Sequence, residues 1–436
     1  MLRKFLLILG LALLPLAASR ATLEIVITHG VSTAAPVAIV PFAWEVQGSP
    51  PATDVAAVVS ADLTRSGRFK AIPVKSMLEK PTEASAINFI NWRVLGVDDL
   101  VIGRIKAAGS GNLQVEFQLF NVYTGRQLLG LGVLTPPQNL RWTAHKVSDL
   151  IYQKLTGQRG AFATRIAYVK VLRTSGKHSH YALVVADSDG FDPQTVFSSN
   201  EPIMSPDWSP DGKDLAYVSF ENQRQAIYIQ DIYTGRRQLI SERRGINSAP
   251  VFSPDGKSLA MVLSSSPDNP DIYVMNLATH ALRRITHSDA IDTEPAWSPD
   301  GQSLYFTSDR GGSPQIYKVN LNGGRPQRIT FDGNYNARAR ISPDGHALAM
   351  VHRENGHLRI AVMNLSTGAL LTLTDGDLDK SPSFAPNGSM IIYEATYRGQ
   401  GVLKEVSVDG QVRERLSETQ PDVSVHMPVW GPFLSQ

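Results

Sequence analysis

Ser209-Pro210-Asp211-Gly212, Ser253-Pro254-Asp255-Gly256, Ser298-Pro299-Asp300-Gly301 and Ser342-Pro343-Asp344-Gly345 punctuate the C-terminal half of this 436-residue chain, and a relaxed copy stands at Ala385-Pro386-Asn387-Gly388. The Asp or Asn positions follow one another at 44, 45, 44 and 43 residues. The tetrapeptide is turn chemistry. Proline suits the first central position of a β-turn, aspartate can bond its own backbone two residues on, and glycine supplies positive φ. A repeat of this length points to four-stranded propeller blades.

One period shows why. Ala249-Pro250-Val251-Phe252 is a short apolar run that ends in the turn. Ser258-Leu259-Ala260-Met261-Val262-Leu263 reads as a strand, and Asp271-Ile272-Tyr273-Val274-Met275-Asn276-Leu277 alternates with period two. A turn at Ala278-Thr279-His280 leads to a polar edge strand, Leu282-Arg283-Arg284-Ile285-Thr286. Four strands in about 44 residues leave no room for a helix. Trp208, Phe252, Trp297, Ile341 and Phe384 precede the turns in register, and a large side chain at a regular internal position is expected to pack between blades.

Met427-Pro428-Val429-Trp430-Gly431-Pro432 matches a first strand that no further strands follow. Three unmatched strands stand at the start of the array, at 165–171, 181–186 and 194–197. The last strand is therefore expected to join these three and close a ring, which removes its open edges. The prediction is six blades over 163–436.

Charge is balanced, with Lys+Arg 42 against Asp+Glu 40. That argues against nucleic acid or an anionic membrane as the main partner, since both need concentrated basic surface. Cysteine is absent, which excludes disulfides and thiolate metal sites. Arg3 and Lys4, an apolar run over residues 5–18 and Ser19-Arg20-Ala21 describe a secretory signal, too short for a membrane span. Cleavage after Ala21 is expected, leaving an exported protein that is periplasmic in a bacterium.

Residues 35–157 are expected to form a separate α/β domain. Pro36 begins a strand. Val55, Val58, Val59 and Leu63 make a helical stripe, strands follow at 100–105, 113–122 and 128–134, and Leu140, Ala144, Val147, Leu150, Ile151 and Leu155 share one face of a closing helix. Residues 158–162 are the expected linker. Thr22, Leu23, Glu24, Ile25, Val26, Ile27 and Thr28 are β-prone at the mature terminus. They read either as a first strand of the domain or as a mobile strand that adds to a partner's sheet.

At this point the chain resembles the TolB family, the periplasmic propeller proteins of the Tol–Pal system. The resemblance rests on Glu24-Ile25-Val26-Ile27, on Lys154-Leu155-Thr156-Gly157 with Gly160-Ala161-Phe162, and on Thr164-Arg165-Ile166-Ala167-Tyr168-Val169. Leu215-Ala216-Tyr217-Val218, Thr293-Glu294-Pro295 and Pro326-Gln327-Arg328-Ile329-Thr330 add to it. It implies a non-catalytic, monomeric scaffold. The propeller would bind the peptidoglycan-associated lipoprotein Pal, and residues 22–34, with Thr22 to Thr28 at their head, would bind the C-terminal domain of TolA. It further implies support of outer-membrane integrity and of constriction at division, exploitation by colicins and phage proteins, and a propeller channel that can take a cation whose ligands the sequence does not place.

The residues just before each first strand are expected to surround the channel mouth. They are Met204-Ser205, Ser248-Ala249, Thr293-Glu294, Ala337-Arg338, Lys380-Ser381 and His426-Met427, and they break the repeat in charge and size while the strands keep it. Candidate Pal-binding residues are Ser205, Ala249, Thr293, Glu294, Arg338, Lys380 and His426. Ala249, Thr293 and Glu294 match the family motifs, whereas Arg338, Lys380 and His426 are carried by position. Asn336-Ala337-Arg338-Ala339-Arg340 departs from the family pattern.

A peptidase-type propeller would need a hydrolase domain and a Gly-x-Ser-x-Gly elbow, and the chain has neither. A sugar- or polymer-binding propeller would need aromatics at the mouth, where none stands. Asp375-Gly376-Asp377-Leu378-Asp379 and Asp187-Ser188-Asp189-Gly190 offer oxygens at alternate positions, but the first lacks the glycine and glutamate of a calcium loop and both fall at turns. His178-Ser179-His180 has no evident third ligand. No metal site and no cofactor is assigned.

Overall fold

The fold is taken from a computed structural model that describes residues 34–174, 179–264, 269–417 and 420–434. The β-prone stretch Thr22 to Thr28 and most of the 22–34 segment lie outside the described residues.

The first unit is an α/β layer structure. Its sheet runs in the order Phe69–Ala71, Ala35–Ile39, Asp99–Ala107, Leu113–Asn121, Gln127–Thr135, and Ala43–Glu45 also pairs with Asp99–Ala107. Ala35–Ile39 is parallel to both its neighbours, and the later strands are antiparallel. Helix α1 (Val55–Arg65) starts where Asp54 accepts a bond from the Ala57 N–H at 3.1 Å, satisfying one of the free donors of the first turn. Helix α2 spans Phe89–Val94. Helix α3 (Leu140–Thr156) ends at Gly157, in the left-handed conformation that favours glycine there. The stripes of α1 and α3 meet the sheet through Val59, Leu63, Val147 and Ile151, all with no exposed surface. Removing such a side chain, as in Leu63→Ala, costs about 2–5 kcal/mol. Helix α2 and Trp92 cover the opposite face over Ala38, Leu100 and Phe120. Helix α2 leaves no stripe in the sequence, because six residues are too few to show a helical period.

The second unit is a six-bladed propeller. The first blade is Val423–Trp430, Arg165–Arg173, Ser179–Asp187 and Gln194–Ser199, so its innermost strand comes from the end of the chain. Trp430 Nε1 donates to Thr164 Oγ1 at 2.9 Å and Gly431 N to the Arg165 carbonyl at 2.7 Å, which fastens that closure. Five blades follow in chain order, beginning with Ile203–Trp208, Asn247–Phe252, Asp292–Trp297, Asn336–Ile341 and Lys380–Phe384. Trp208, Phe252 and Phe384 are buried. Trp208 and Trp297 donate their indole N–H to Val429 and Val251 carbonyls of the neighbouring blade, as expected of a knob between blades.

The mouth residues need a correction. They do not precede the first strands but lie inside them, because each of these strands continues inward past an irregularity before pairing resumes.

The units meet through polar groups. Asn387 Nδ2 donates to the Arg159 carbonyl at 2.9 Å, and Gln158 Nε2 to the Asn387 carbonyl at 2.6 Å. The buried Arg65 on α1 reaches both carboxylate oxygens of Glu405 at 3.3 Å. Burial acts to lower the Arg65 pKa, but Glu405 and Asp62 reverse it and hold the guanidinium well above its ordinary value.

Candidate functional site

Each of the six inner strands carries one bulge at the same depth. Register shifts between Met204 and Asp207, Ser248 and Val251, Thr293 and Ala296, Ala337 and Arg340, Lys380 and Ser383, and His426 and Val429. Inside each shift sits one non-glycine residue with positive φ: Ser205 at 50°, Ala249 at 46°, Glu294 at 55°, Arg338 at 57°, Ser381 at 53° and Met427 at 51°. A proline follows five of them, and Ala339 takes that place in the fifth blade. Proline has no N–H to lose from a ladder, so a bulge tolerates it. A left-handed conformation costs a non-glycine residue about 1–2 kcal/mol. Six such residues stand in one ring, and backbone strain of this kind tends to cluster at binding and switch regions.

These six residues line one cavity of about 60 Å³ at the channel mouth. A polar chain runs round half of it. Glu294 Oε1 accepts from Arg338 Nε at 2.5 Å, and Glu294 Oε2 accepts from Arg338 N and from Thr307 Oγ1 at 3.0 Å each. Arg338 Nη1 then donates to Ser381 Oγ at 2.6 Å. Blades four, five and six are thereby joined at the rim. Glu394 bonds His426 Nδ1 and the Met427 N–H, each at 3.0 Å. Burial would raise the Glu394 pKa, but the His426 bond and charge pull it below the ordinary carboxylate value. One layer deeper, Asp207 accepts from Phe252 N at 2.9 Å. Burial raises its carboxyl to about 7, against the lowering effect of Arg340. Burial also holds the Arg340 guanidinium below its usual value.

Of the expected site residues, the structure brings Ser205, Ala249, Glu294 and Arg338 together around the cavity. Thr293, Lys380 and His426 stand one position earlier and pair with Thr307, Glu394 and Val169 of the next strand. Ser381 and Met427 were expected at the mouth but not among the candidate binding residues, and sequence reasoning missed Asp207, Arg340 and Glu394. The pattern x-Pro, at Ser205-Pro206, Ala249-Pro250, Glu294-Pro295, Ser381-Pro382 and Met427-Pro428, was the available signal that Ser381 and Met427, rather than Lys380 and His426, face the cavity.

The mouth is held at the far end by nested turns. In the second to fourth blades the tetrapeptide serine donates to the aspartate two residues on, at 2.7, 2.6 and 2.5 Å. The serine oxygen also accepts an N–H five residues on at 2.9 Å. Among the described residues, no helix is long and apolar enough to cross a membrane.

Comparison with known proteins places this architecture in a family. Residues 23–128 match the TolB amino-terminal domain and residues 152–434 the TolB beta propeller domain. The chain is 52% identical over 429 residues to the Tol-Pal system protein TolB of Thioalkalivibrio sulfidiphilus, covering 98% of each. It is 49% identical over 416 residues to that of Xylella fastidiosa, covering 95% of this chain and 94% of the relative. The crystal structure of TolB from Acinetobacter baumannii superposes with a TM-score of 0.86 at 41% identity, over 94% of this chain and all of that one. A bulged six-bladed ring behind an α/β domain, with relatives alike over nearly its whole length, makes this chain a member of the TolB family of Tol–Pal system proteins.

Proposed function

We propose that this protein is a non-enzymatic periplasmic scaffold that binds the lipoprotein Pal at the propeller mouth and the C-terminal domain of TolA through residues 22–34. Export would remove residues 1–21, leaving the α/β domain at 35–157, a linker at 158–162 and the propeller at 163–436 as one monomer. In this role it supports outer-membrane integrity and constriction at division, and colicins and phage proteins could exploit the same surfaces.

The observation that carries the reading is the ring of six strained, non-glycine residues around one cavity. Elsewhere non-glycine residues take positive φ singly, at scattered turns such as those of Gln223 and His280, whereas at the mouth six stand in one ring. Glu294, Arg338 and Ser381 are pre-positioned by their mutual bonds, which lowers the ordering cost of binding. The TolA reading is supported by the β-propensity of Thr22 to Thr28. A groove of about 780 Å³ between the two domains has Ala35, the first residue of the first strand, in its wall. Docking of the preceding segment there when Pal binds would withhold it from TolA, an order–disorder switch.

Calorimetry with residues 22–436 and with a chain starting at Ser32 tests both sites. Pal should bind both chains and the TolA domain only the longer one. If neither partner binds either chain, an orphan periplasmic propeller is the better description. TolA affinity that is the same with and without saturating Pal removes the switch.

A further inference from the structure

Helices α1 and α3 of the N-terminal domain hold the Asp187-Ser188-Asp189-Gly190 turn of the first propeller blade. Arg65 on α1 donates from Nη1 to the Ser188 carbonyl at 3.3 Å and from Nη2 to Ser188 Oγ at 3.2 Å, and Arg141 on α3 bonds Asp189. Beside them His145 on α3 has no exposed surface. Its Nδ1 lies 2.7 Å from Asp62 Oδ2, an oxygen that also accepts from Ser148 Oγ at 2.7 Å. Its Nε2 faces the turn, 3.8 Å from Asp187 Oδ2 and 3.8 Å from Asp189 Oδ2.

The two protonation states of this imidazole fare differently. In the neutral ring Nδ1–H donates to Asp62, and the bare lone pair of Nε2 confronts two carboxylates, which is repulsive. In the imidazolium both nitrogens carry protons, and three carboxylates attract the charge. The surrounding groups favour the second state. Helix α1 supplies Asp62 and Arg65, α3 supplies Arg141 and Asp149, and the turn supplies Asp187 and Asp189. Arg65 is also paired with Glu405 of strand Gln400–Ser407. Burial and Glu405 push the neighbouring Glu414 up to about 8, so it stays neutral at pH 7. Arg65 and Arg141 therefore stand against Asp62, Asp149, Asp187, Asp189 and Glu405, and a proton on His145 adds a third positive charge. Burial acts to lower the His145 pKa, but Asp62, Asp189 and Asp187 reverse it and hold it above the ordinary histidine value.

We propose that a proton held on His145 fastens α1 and α3 of the N-terminal domain to the first propeller blade, and that its loss in alkaline medium loosens the junction. An unfolded histidine releases its proton near about pH 6.5. The folded one keeps it to higher pH, so the stabilisation from this group is fully present below about 6.5 and is lost as pH rises through the folded value. Above that value the Nε2 lone pair faces Asp187 and Asp189 with nothing between them, and the turn is pushed away from α3. The neutral contacts of the junction, Gln158 to Asn387 and Asn387 to Arg159, do not titrate. The response is therefore a local opening around the turn and not a separation of the domains. The clasp goes beyond the scaffold reading and does not depend on either partner.

The test uses residues 22–436. The Ser188 amide bonds the Thr164 carbonyl at 3.1 Å and the Asp187 amide the Phe191 carbonyl at 2.9 Å. Their hydrogen-exchange protection, corrected for the intrinsic rate, should fall roughly tenfold between about pH 6 and about pH 9, while the amides of strand Ser303–Ser308 in the fourth blade hold theirs. Exchange is read on the wild-type protein and needs no variant to fold. Imidazole nitrogen NMR, with His145→Gln identifying the signal, should show His145 protonated at both nitrogens at about pH 6.5 and losing the Nε2 proton above that. His145→Gln should exchange at the turn as the deprotonated protein does, without the pH dependence. Asp187→Asn keeps the Asp62–His145 bond and the Arg141–Asp189 pair, and should lower the His145 midpoint by about 1 pH unit. Protection that does not change with pH, an imidazole already neutral at about pH 6.5, a fall as large in His145→Gln, or a midpoint unmoved in Asp187→Asn would each overturn the proposal.

Discussion

In the second to fifth blades the two ends of the inner strand solve the same backbone problem with different residues. At the outer end the chain reverses through Ser-Pro-Asp-Gly, and the positive φ falls on glycine, near 70° at Gly212, Gly256 and Gly301. A Cβ on Gly256 would stand 3.6 Å from Pro210 of the preceding blade, ordinary contact, so glycine is there for its backbone. At the mouth the positive φ falls on Ser, Ala, Glu, Arg, Ser and Met. Glycine would relieve that strain and is not used. At the turns the repeat holds; at the mouth, the proposed binding face, it breaks, and the backbone carries the cost.

The largest effect should come from Glu294→Ala. It removes the acceptor of Arg338 Nε, Arg338 N and Thr307 Oγ1, and should weaken Pal binding by about 10- to 100-fold, or ~1.4–2.8 kcal/mol. Calorimetry beside thermal unfolding separates binding from stability, and a loss of stability alone would break the contrast between the two ends. Gly256→Ala should do the reverse. The left-handed penalty costs about 1–2 kcal/mol of stability, read in denaturant unfolding, while Pal affinity stays within about twofold.

A third effect is pH-dependent. The Asp207 carboxyl is raised by burial to about 7, against about 3.9 in an unfolded chain. The folded state therefore binds more protons between those values, and this group's contribution to stability falls as pH rises from about 4 to about 7. Asp207→Asn should remove that slope, so its Tm should gain on wild type as pH rises. A gap between the two that is constant with pH would show that Asp207 does not titrate in the channel. The smallest effect is Ala249→Gly, which relieves φ 46° and should stabilise by a few tenths to about 1 kcal/mol without tightening Pal binding. Gains in both would mean that strain at the mouth serves nothing.

The propeller was legible because its information is local and repeated. Turn residues at fixed intervals announce blades, and the surplus strand at 427–432 paired with three orphan strands to announce closure. Helices α1 and α3 were legible from their stripes; α2 and the three-residue strands were too short to carry a period. At the mouth the sequence placed four of its seven candidates, Ser205, Ala249, Glu294 and Arg338, on the cavity wall. Thr293, Lys380 and His426 fell one residue short, because a bulge inside a strand shifts which side chain faces the channel.

The chain by itself determined the repeat, the closure of the ring, the separate α/β domain and, through motif resemblance, the family. All of these rest on residues close in sequence, where steric limits and hydrophobic period act directly. Tertiary structure alone decided which residues face one cavity, how Glu294 reaches Arg338 44 positions away, and that Asp187 and Asp189 confront His145 across the domain junction. An Asp-x-Asp turn reads as a turn until a histidine arrives from another domain, and that arrival is set by packing between surfaces, which no local pattern encodes.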